Sequence, residues 1–321
     1  MKKLIFSILL LASTLLQASD IYVKPGESIA DAIRQARELR RLNDPSIEGG
    51  ITIHVAAGNY RIYEPLFLRP EDSGTPSSPT IIKGEGEVIV SGGVTVTGWK
   101  RQGKLMVADV PDFCGRPLDF RQFYVNGKKA VRARDVADFE DMYRIIRVDK
   151  QKRVLWVPAA AVRKIQKAPY AEMVLHEMWC VANLRIKDIM FAGDSAAVSF
   201  HDPESRIQFE HPWPCPMVTT DGHNSAFYLT NARELLDVPG EWYHDIRAGK
   251  LYYYPRQGEL IEEAVVPAVE TLLRVEGTLD RPVRNIRIEG LTFSYSTWMR
   301  PSLKGHVPLQ AGMYLEMQKR K

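Results

Sequence analysis

The densest set of chemically capable side chains lies in the segment Ser294–Gln310, which gathers Trp298, Arg300, His306 and Gln310. An indole offers a flat apolar face to a sugar ring, while guanidinium, imidazole and amide groups offer donors and acceptors to its hydroxyls. The segment leaves one strand-like run and returns to another at Gly312, so these four residues are expected on one loop, where binding groups concentrate. The competing reading is a structural loop that only packs. Glu276 and Glu289 hold equivalent places in two near copies, Leu272–Gly277 and Asn285–Gly290. Stacked as successive coils, the two acids would lie roughly 5 Å apart, close enough for one carboxyl to raise the other's pKa. Otherwise a charge beside a corner glycine is a solvated face.

His176, Glu177 and Trp179 precede Cys180, and His201, Asp202 and His211 follow. Such residue types can hold a metal, but His176-Glu177 lacks a second histidine four residues on, so the metalloprotease pattern is not met. The three cysteines, Cys114, Cys180 and Cys215, include no C-x-x-C pair and allow at most one disulfide; buried, inert thiols are expected. No metal and no cofactor are expected. Trp213, between Pro212 and Pro214, suits either an exposed sugar platform or a buried anchor, and His223-Asn224 reads as part of a turn.

Positioning these residues falls to short strands. One amphipathic helix is expected over Ser28–Asn43, capped by Ser28 with Asp31 three residues on; Ile29, Ala32, Ile33, Ala36 and Leu39 share a face, and Arg34, Arg37, Arg40 and Arg41 take the rest. Such a helix can cap the first rung of a solenoid. Alternation then follows at Ile51, Ile53 and Val55, at Leu66 and Leu68, at Ile81-Ile82 and at Val88–Val90, with glycines at the corners. From about Gly98 to Glu263 the texture becomes aromatic and hairpin-like: Glu241–Asp245 and Lys250–Tyr254 flank an Arg247-Ala248-Gly249 turn. After Pro267 the glycine rhythm returns in the copied segments, and Gly312–Leu315 starts another strand before the chain stops. An uncapped last coil would expose strand edges, so the chain is expected to be a truncation or the product of an interrupted gene.

Lys2, Lys3 and the apolar run Leu4–Leu16, followed by Ala18, form a three-part export signal too short for a comfortable membrane span. The protein is therefore expected to be exported, to the periplasm or the extracellular space, without a stable membrane anchor. The formal charge is +4; removing Lys2, Lys3, Lys319, Arg320 and Lys321 leaves −1, and no clustered basic run points to nucleic acid. The expected organisation is a signal peptide over 1–18, cap helix and first coils over 19–97, an inserted β-rich domain over 98–265 and resumed coils over 266–321.

Several segments carry a family likeness: Ile21–Gly26, Ile53–Tyr60, Phe123–Lys128 with Arg132-Ala-Arg134, Pro239–Tyr243 and Gly290–Phe293. In these the chain resembles the right-handed parallel β-helix glycoside hydrolases, and most closely glycoside hydrolase family 141. The resemblance implies an all-β fold, a right-handed parallel β-helix with an N-terminal capping helix and an inserted antiparallel β domain. It further implies a secreted enzyme that cuts plant-type polysaccharide with a carboxylate pair, one acid protonating the glycosidic oxygen while the other attacks or activates water. No catalytic residue is carried over. The alternatives are a polysaccharide lyase on the same scaffold, for which no calcium-type Asp cluster is visible, and a non-catalytic glycan-binding surface protein.

Overall fold

The computed structural model describes residues 18–178, 180–210 and 215–299. The apolar leader up to Gln17 therefore lies outside the described residues, as do Trp179, His211, Trp213 and everything from Arg300 onward. Within the described residues no helix is long and apolar enough to cross a membrane. The chain divides into two compact units, one of residues 1–92 with 271–296 and the other of 93–270 with 297–321.

In the first unit the helix forms over Ile29–Arg41, with the Ser28 hydroxyl accepting the Asp31 N–H at 3.2 Å. Ile29, Ala32, Ile33 and Ala36 are buried against a sheet of four parallel strands in the order Ser19–Val23, Ile51–Arg61, Thr80–Ser91 and Ile286–Ser294. Alternation in the second strand puts Ile51, Ile53 and Val55 wholly inside, each worth roughly 1.5–3 kcal/mol of transfer free energy. The arginines assigned to the solvent face do more than solvate. Arg37 donates from Nε and Nη2 to the two oxygens of buried Asp72, both at 2.9 Å, and Arg40 donates to Thr80 Oγ1 at 2.8 Å and to the Ser78 carbonyl at 2.9 Å. They tie the helix to the 70–80 loop.

The expected right-handed parallel β-helix is not what the described residues form. The structure is mostly β, but parallel pairing is confined to the four-stranded sheet, to Leu66–Leu68 with Leu273–Val275, and to a short contact of Val131–Arg132 with Glu241–Trp242; the remaining pairs are antiparallel. The reason lies in the copied segments. Leu273–Val275 pairs with Leu66–Leu68, whereas Ile286–Ser294 pairs with Thr80–Ser91, so the copies enter two different sheets instead of stacking as consecutive coils. At the corner the register jumps from Glu289↔Lys83 to Leu291↔Val88, and Gly290 adopts φ +66° there.

The second unit holds a seven-stranded antiparallel sheet in the order Tyr143–Arg144, Ala226–Thr230, Glu172–Glu177, Cys180–Ala192, Ser195–Phe200, Val154–Pro158 and Arg147–Asp149. A five-stranded mixed sheet contains Glu241–Asp245 paired with Lys250–Tyr253, with Trp242 opposite Tyr253 and Gly249 at φ +61° in the turn. Trp242, Tyr253, Phe120 and Phe123 are fully buried in one aromatic cluster, with the Phe123 and Tyr253 rings edge to face at 5.5 Å. The main stretch of this unit runs from Gly93 to Glu270, and the chain from Thr297 is grouped with it.

Candidate functional site

The second unit contains a cavity of about 430 Å³ whose wall includes Asp119, Arg121, Arg132, Tyr170, Glu172, Arg185, His201, Asn231 and Arg247. Glu172, the first residue of a central strand of the seven-stranded sheet, anchors it. Its side chain is about 6% exposed and is gripped from two directions: Arg121 donates Nη1 to Oε1 at 2.9 Å and Nη2 to Oε2 at 2.7 Å, and Arg132 donates Nη1 to Oε2 at 2.9 Å. Burial by itself would raise this carboxyl, but Arg132 and Arg121 outweigh it and hold the pKa at about 2. A carboxylate so held has no proton to give at neutral pH and is a poor base. Its chemistry is structural: it fixes two guanidiniums at the cavity wall.

Other groups line the same space. Arg247 donates Nε to the Tyr170 hydroxyl at 2.9 Å, and its guanidinium lies 5.5 Å from the Tyr170 ring centre. Asn231 donates to the Tyr170 carbonyl at 2.8 Å, and Arg185 bridges to buried Glu204 at 2.9 Å. Asp119 keeps contact with solvent, yet crowding by protein raises its carboxyl against the pull of Arg132. The result is an aromatic ring among fixed donors, which suits a hydroxylated, polar ligand.

Of the residues picked out by type and spacing, Trp298 is partly exposed, and its main-chain N–H donates to Gln122 Oε1 at 3.3 Å. Its neighbour Met299 donates its N–H to Glu270 at 2.8 Å and lines the cavity. Arg300, His306 and Gln310 lie outside the described residues. His201 also lines the cavity, whereas Asp202 faces Arg153 at 3.8 Å. Glu276 and Glu289 are not a stacked pair: Glu276 takes Arg274 at 2.8 Å and Arg69 at 3.5 Å, and Glu289 stands opposite Lys83 in the other sheet.

His176 and Glu177 are neighbours on one strand, and His176 packs against the Phe139 and Tyr228 rings; among the described residues no group of three His, Cys, Asp or Glu side chains is placed to hold an ion. The Cys180 thiol donates to Glu177 at 3.1 Å, and Gln208 donates to the other carboxylate oxygen. Burial pushes Glu177 up to about 7 and Cys180 well above the ordinary thiol range. The cysteines depart from the expectation of burial: Cys114 is exposed, Cys180 and Cys215 are half-buried, and all three are free thiols. His223-Asn224 does lie at a turn, where the Asn224 side chain accepts the Thr219 N–H and donates to the Ile145 carbonyl, both at 2.8 Å.

The Glu172 cluster was invisible in the sequence because its arginines lie 51 and 40 residues away and no spacing rule links them. Only Arg132 stood within a motif that carried the family likeness.

Two comparisons bear on this site. Residues 103–256 match the family described as GH141 insertion domain, and this stretch falls within the second unit. A solved structure described as a glycoside hydrolase is similar at 62% identity with a TM-score of 0.89, over 92% of this chain and 54% of its own length. The chain thus spans about half the length of that relative. No curated protein matches.

Proposed function

We propose that this chain serves glycan degradation as a glycoside hydrolase, and that its second unit meets carbohydrate at the cavity bordered by Tyr170, His201 and Asn231. The observation that carries the reading is the 62% identity to a glycoside hydrolase along nearly the whole chain, reinforced by the insertion-domain match over 103–256. The finer parts of the reading are export, a plant-type polysaccharide and a paired-carboxylate mechanism. Lys2, Lys3 and the Leu4–Leu16 run support export.

A second reading has one observation in its favour. Glu172, the most deeply set acid of the cavity, is locked in two ion pairs and unsuited to proton transfer, which favours a cavity that holds sugar without cutting it. Incubating the 321-residue protein with xylan and with fucosylated pectin, and measuring new reducing ends, tests the hydrolase reading. Reducing ends that rise with time support it. Retention of either polysaccharide with no new reducing ends replaces it with a non-catalytic glycan binder, and unsaturated products replace it with a lyase.

A further inference from the structure

Arg121 and Arg132 also form the wall of a further cavity of about 330 Å³ in the second unit, which Lys129, Arg134, Asn183 and Tyr228 help to line. None of its lining residues is acidic. Glu172 neutralises part of the charge on Arg121 and Arg132 from behind, but Lys129 and Arg134 enter no ion pair among the described residues. The nearby carboxylates are occupied elsewhere: Asp135 accepts the Leu229 N–H at 2.8 Å, and Glu241 accepts the Asp237, Val238 and Arg134 main-chain N–H groups at 3.1–3.3 Å. Arg132 Nε is buried without a partner. An orphaned guanidinium N–H in a desolvated wall is costly unless something accepts from it. The Tyr228 hydroxyl lies within electrostatic reach of Arg134, Arg121 and Arg132, and also of Glu172; a ligand seated there meets the cationic side chains of the wall, their charge offset in part by Glu172, together with the amide of Asn183 and the hydroxyl of Thr230.

We infer that this cavity binds the oxyanion of an acidic sugar, a uronic carboxylate or a sulfate ester, with Lys129 and Arg134 as the cations that the ligand neutralises. Planar guanidiniums and an ammonium suit carboxylate and sulfate oxygens, while Asn183, Thr230 and Tyr228 suit the hydroxyls around them. The choice of a sugar as carrier rests on the glycan reading above; the anion chemistry rests on the cavity alone. A pocket of about 330 Å³ has room for one substituted ring, whereas a nucleic-acid backbone asks for an extended basic groove.

Isothermal titration calorimetry of the full chain with oligogalacturonate, sulfated dextran oligosaccharide, neutral xylo-oligosaccharide and single-stranded DNA separates the outcomes. The expected result is binding of oligogalacturonate, sulfated dextran or both, weakening with salt, and weakened roughly tenfold or more by Lys129→Gln with Arg134→Gln. Lys129→Arg should retain it, and Arg101→Gln with Arg116→Gln, which removes two exposed charges outside the cavity, should leave it unchanged. Binding of only one anionic probe identifies the group as carboxylate or sulfate. The inference is overturned if neither acidic glycan binds, if the neutral sugar binds equally well, if the cavity and control variants lose affinity alike, or if DNA alone binds. An unchanged melting temperature in the double variant excludes unfolding as the cause. Because reducing-end release is read separately, the hydrolase reading and this one can fail independently.

Discussion

Arg121 presents both terminal nitrogens to the two oxygens of Glu172, at 2.9 and 2.7 Å, although the residues stand 51 positions apart in the chain. This two-pronged contact joins a connecting segment to a central strand of the seven-stranded sheet, and Arg132 completes it from a third segment. Removing the acid leaves two guanidiniums facing each other in a poorly hydrated space. Glu172→Ala is therefore expected to destabilise the second unit by about 3–5 kcal/mol, read by urea unfolding. A change below about 1 kcal/mol would show that water or rearranged neighbours already satisfy these charges.

The same contact sets a pH dependence. A carboxyl held at about 2 when folded and near the ordinary value of 4.5 when unfolded contributes stability that is present above pH 4.5. That contribution is lost as pH falls from 4.5 through about 2. Glu172→Gln should flatten the acid limb of the stability profile in this window, and an unaltered limb would contradict the assignment.

In the first unit His54 sits between two acids, with Nδ1 2.9 Å from Glu85 and Nε2 3.0 Å from Asp20, while Tyr22 stacks on its ring at 5.0 Å and Lys83 faces Glu85 at 3.2 Å. The Glu85 hydrogen bond, opposed by partial burial and aided by Asp20, raises the imidazole pKa. A raised pKa means that the linked stability is whole below the ordinary value of 6.5 and is lost as pH rises through the folded value. Titration of the His54 ring by nuclear magnetic resonance should give a midpoint above 6.5 that drops in Glu85→Gln. A midpoint at or below 6.5 in the wild type would show that the two acids do not act on it.

Gly84 faces Gly290 across the parallel sheet, and a methyl group at Gly84 would come within 2.2 Å of the Gly290 carbonyl oxygen. Since that oxygen is main chain, the strands themselves must part. Gly84→Ala is expected to cost about 1–3 kcal/mol, measured as a lower unfolding midpoint of the first unit.

Local elements were legible where one physical rule dominates. Ser28 and the spacing of Ile29, Ala32, Ile33 and Ala36 specify the helix, and alternation at Ile51, Ile53 and Val55 specifies a strand with one buried face. The Lys250–Tyr253 hairpin was legible from Gly249. Pairing was not legible. Leu272–Gly277 and Asn285–Gly290 look alike because both alternate apolar and charged residues before a glycine, and nothing in them names Leu66–Leu68 or Thr80–Ser91 as partner. The site was missed for a similar reason. Arg121, Arg132 and Glu172 carry no local pattern, and only the closed sheet shows that their charges meet.

The most direct test of the proposal that the second unit meets carbohydrate is the affinity of the intact protein for xylo-oligosaccharide, measured for wild type and for Tyr170→Ala. Tyr170 lines the cavity and is held by Arg247 without belonging to the buried core, so its loss should spare the fold. The expected result is a fall in affinity of roughly fivefold or more with an unchanged melting temperature. Equal affinity in the two proteins would contradict the claim that this cavity is where the second unit meets sugar.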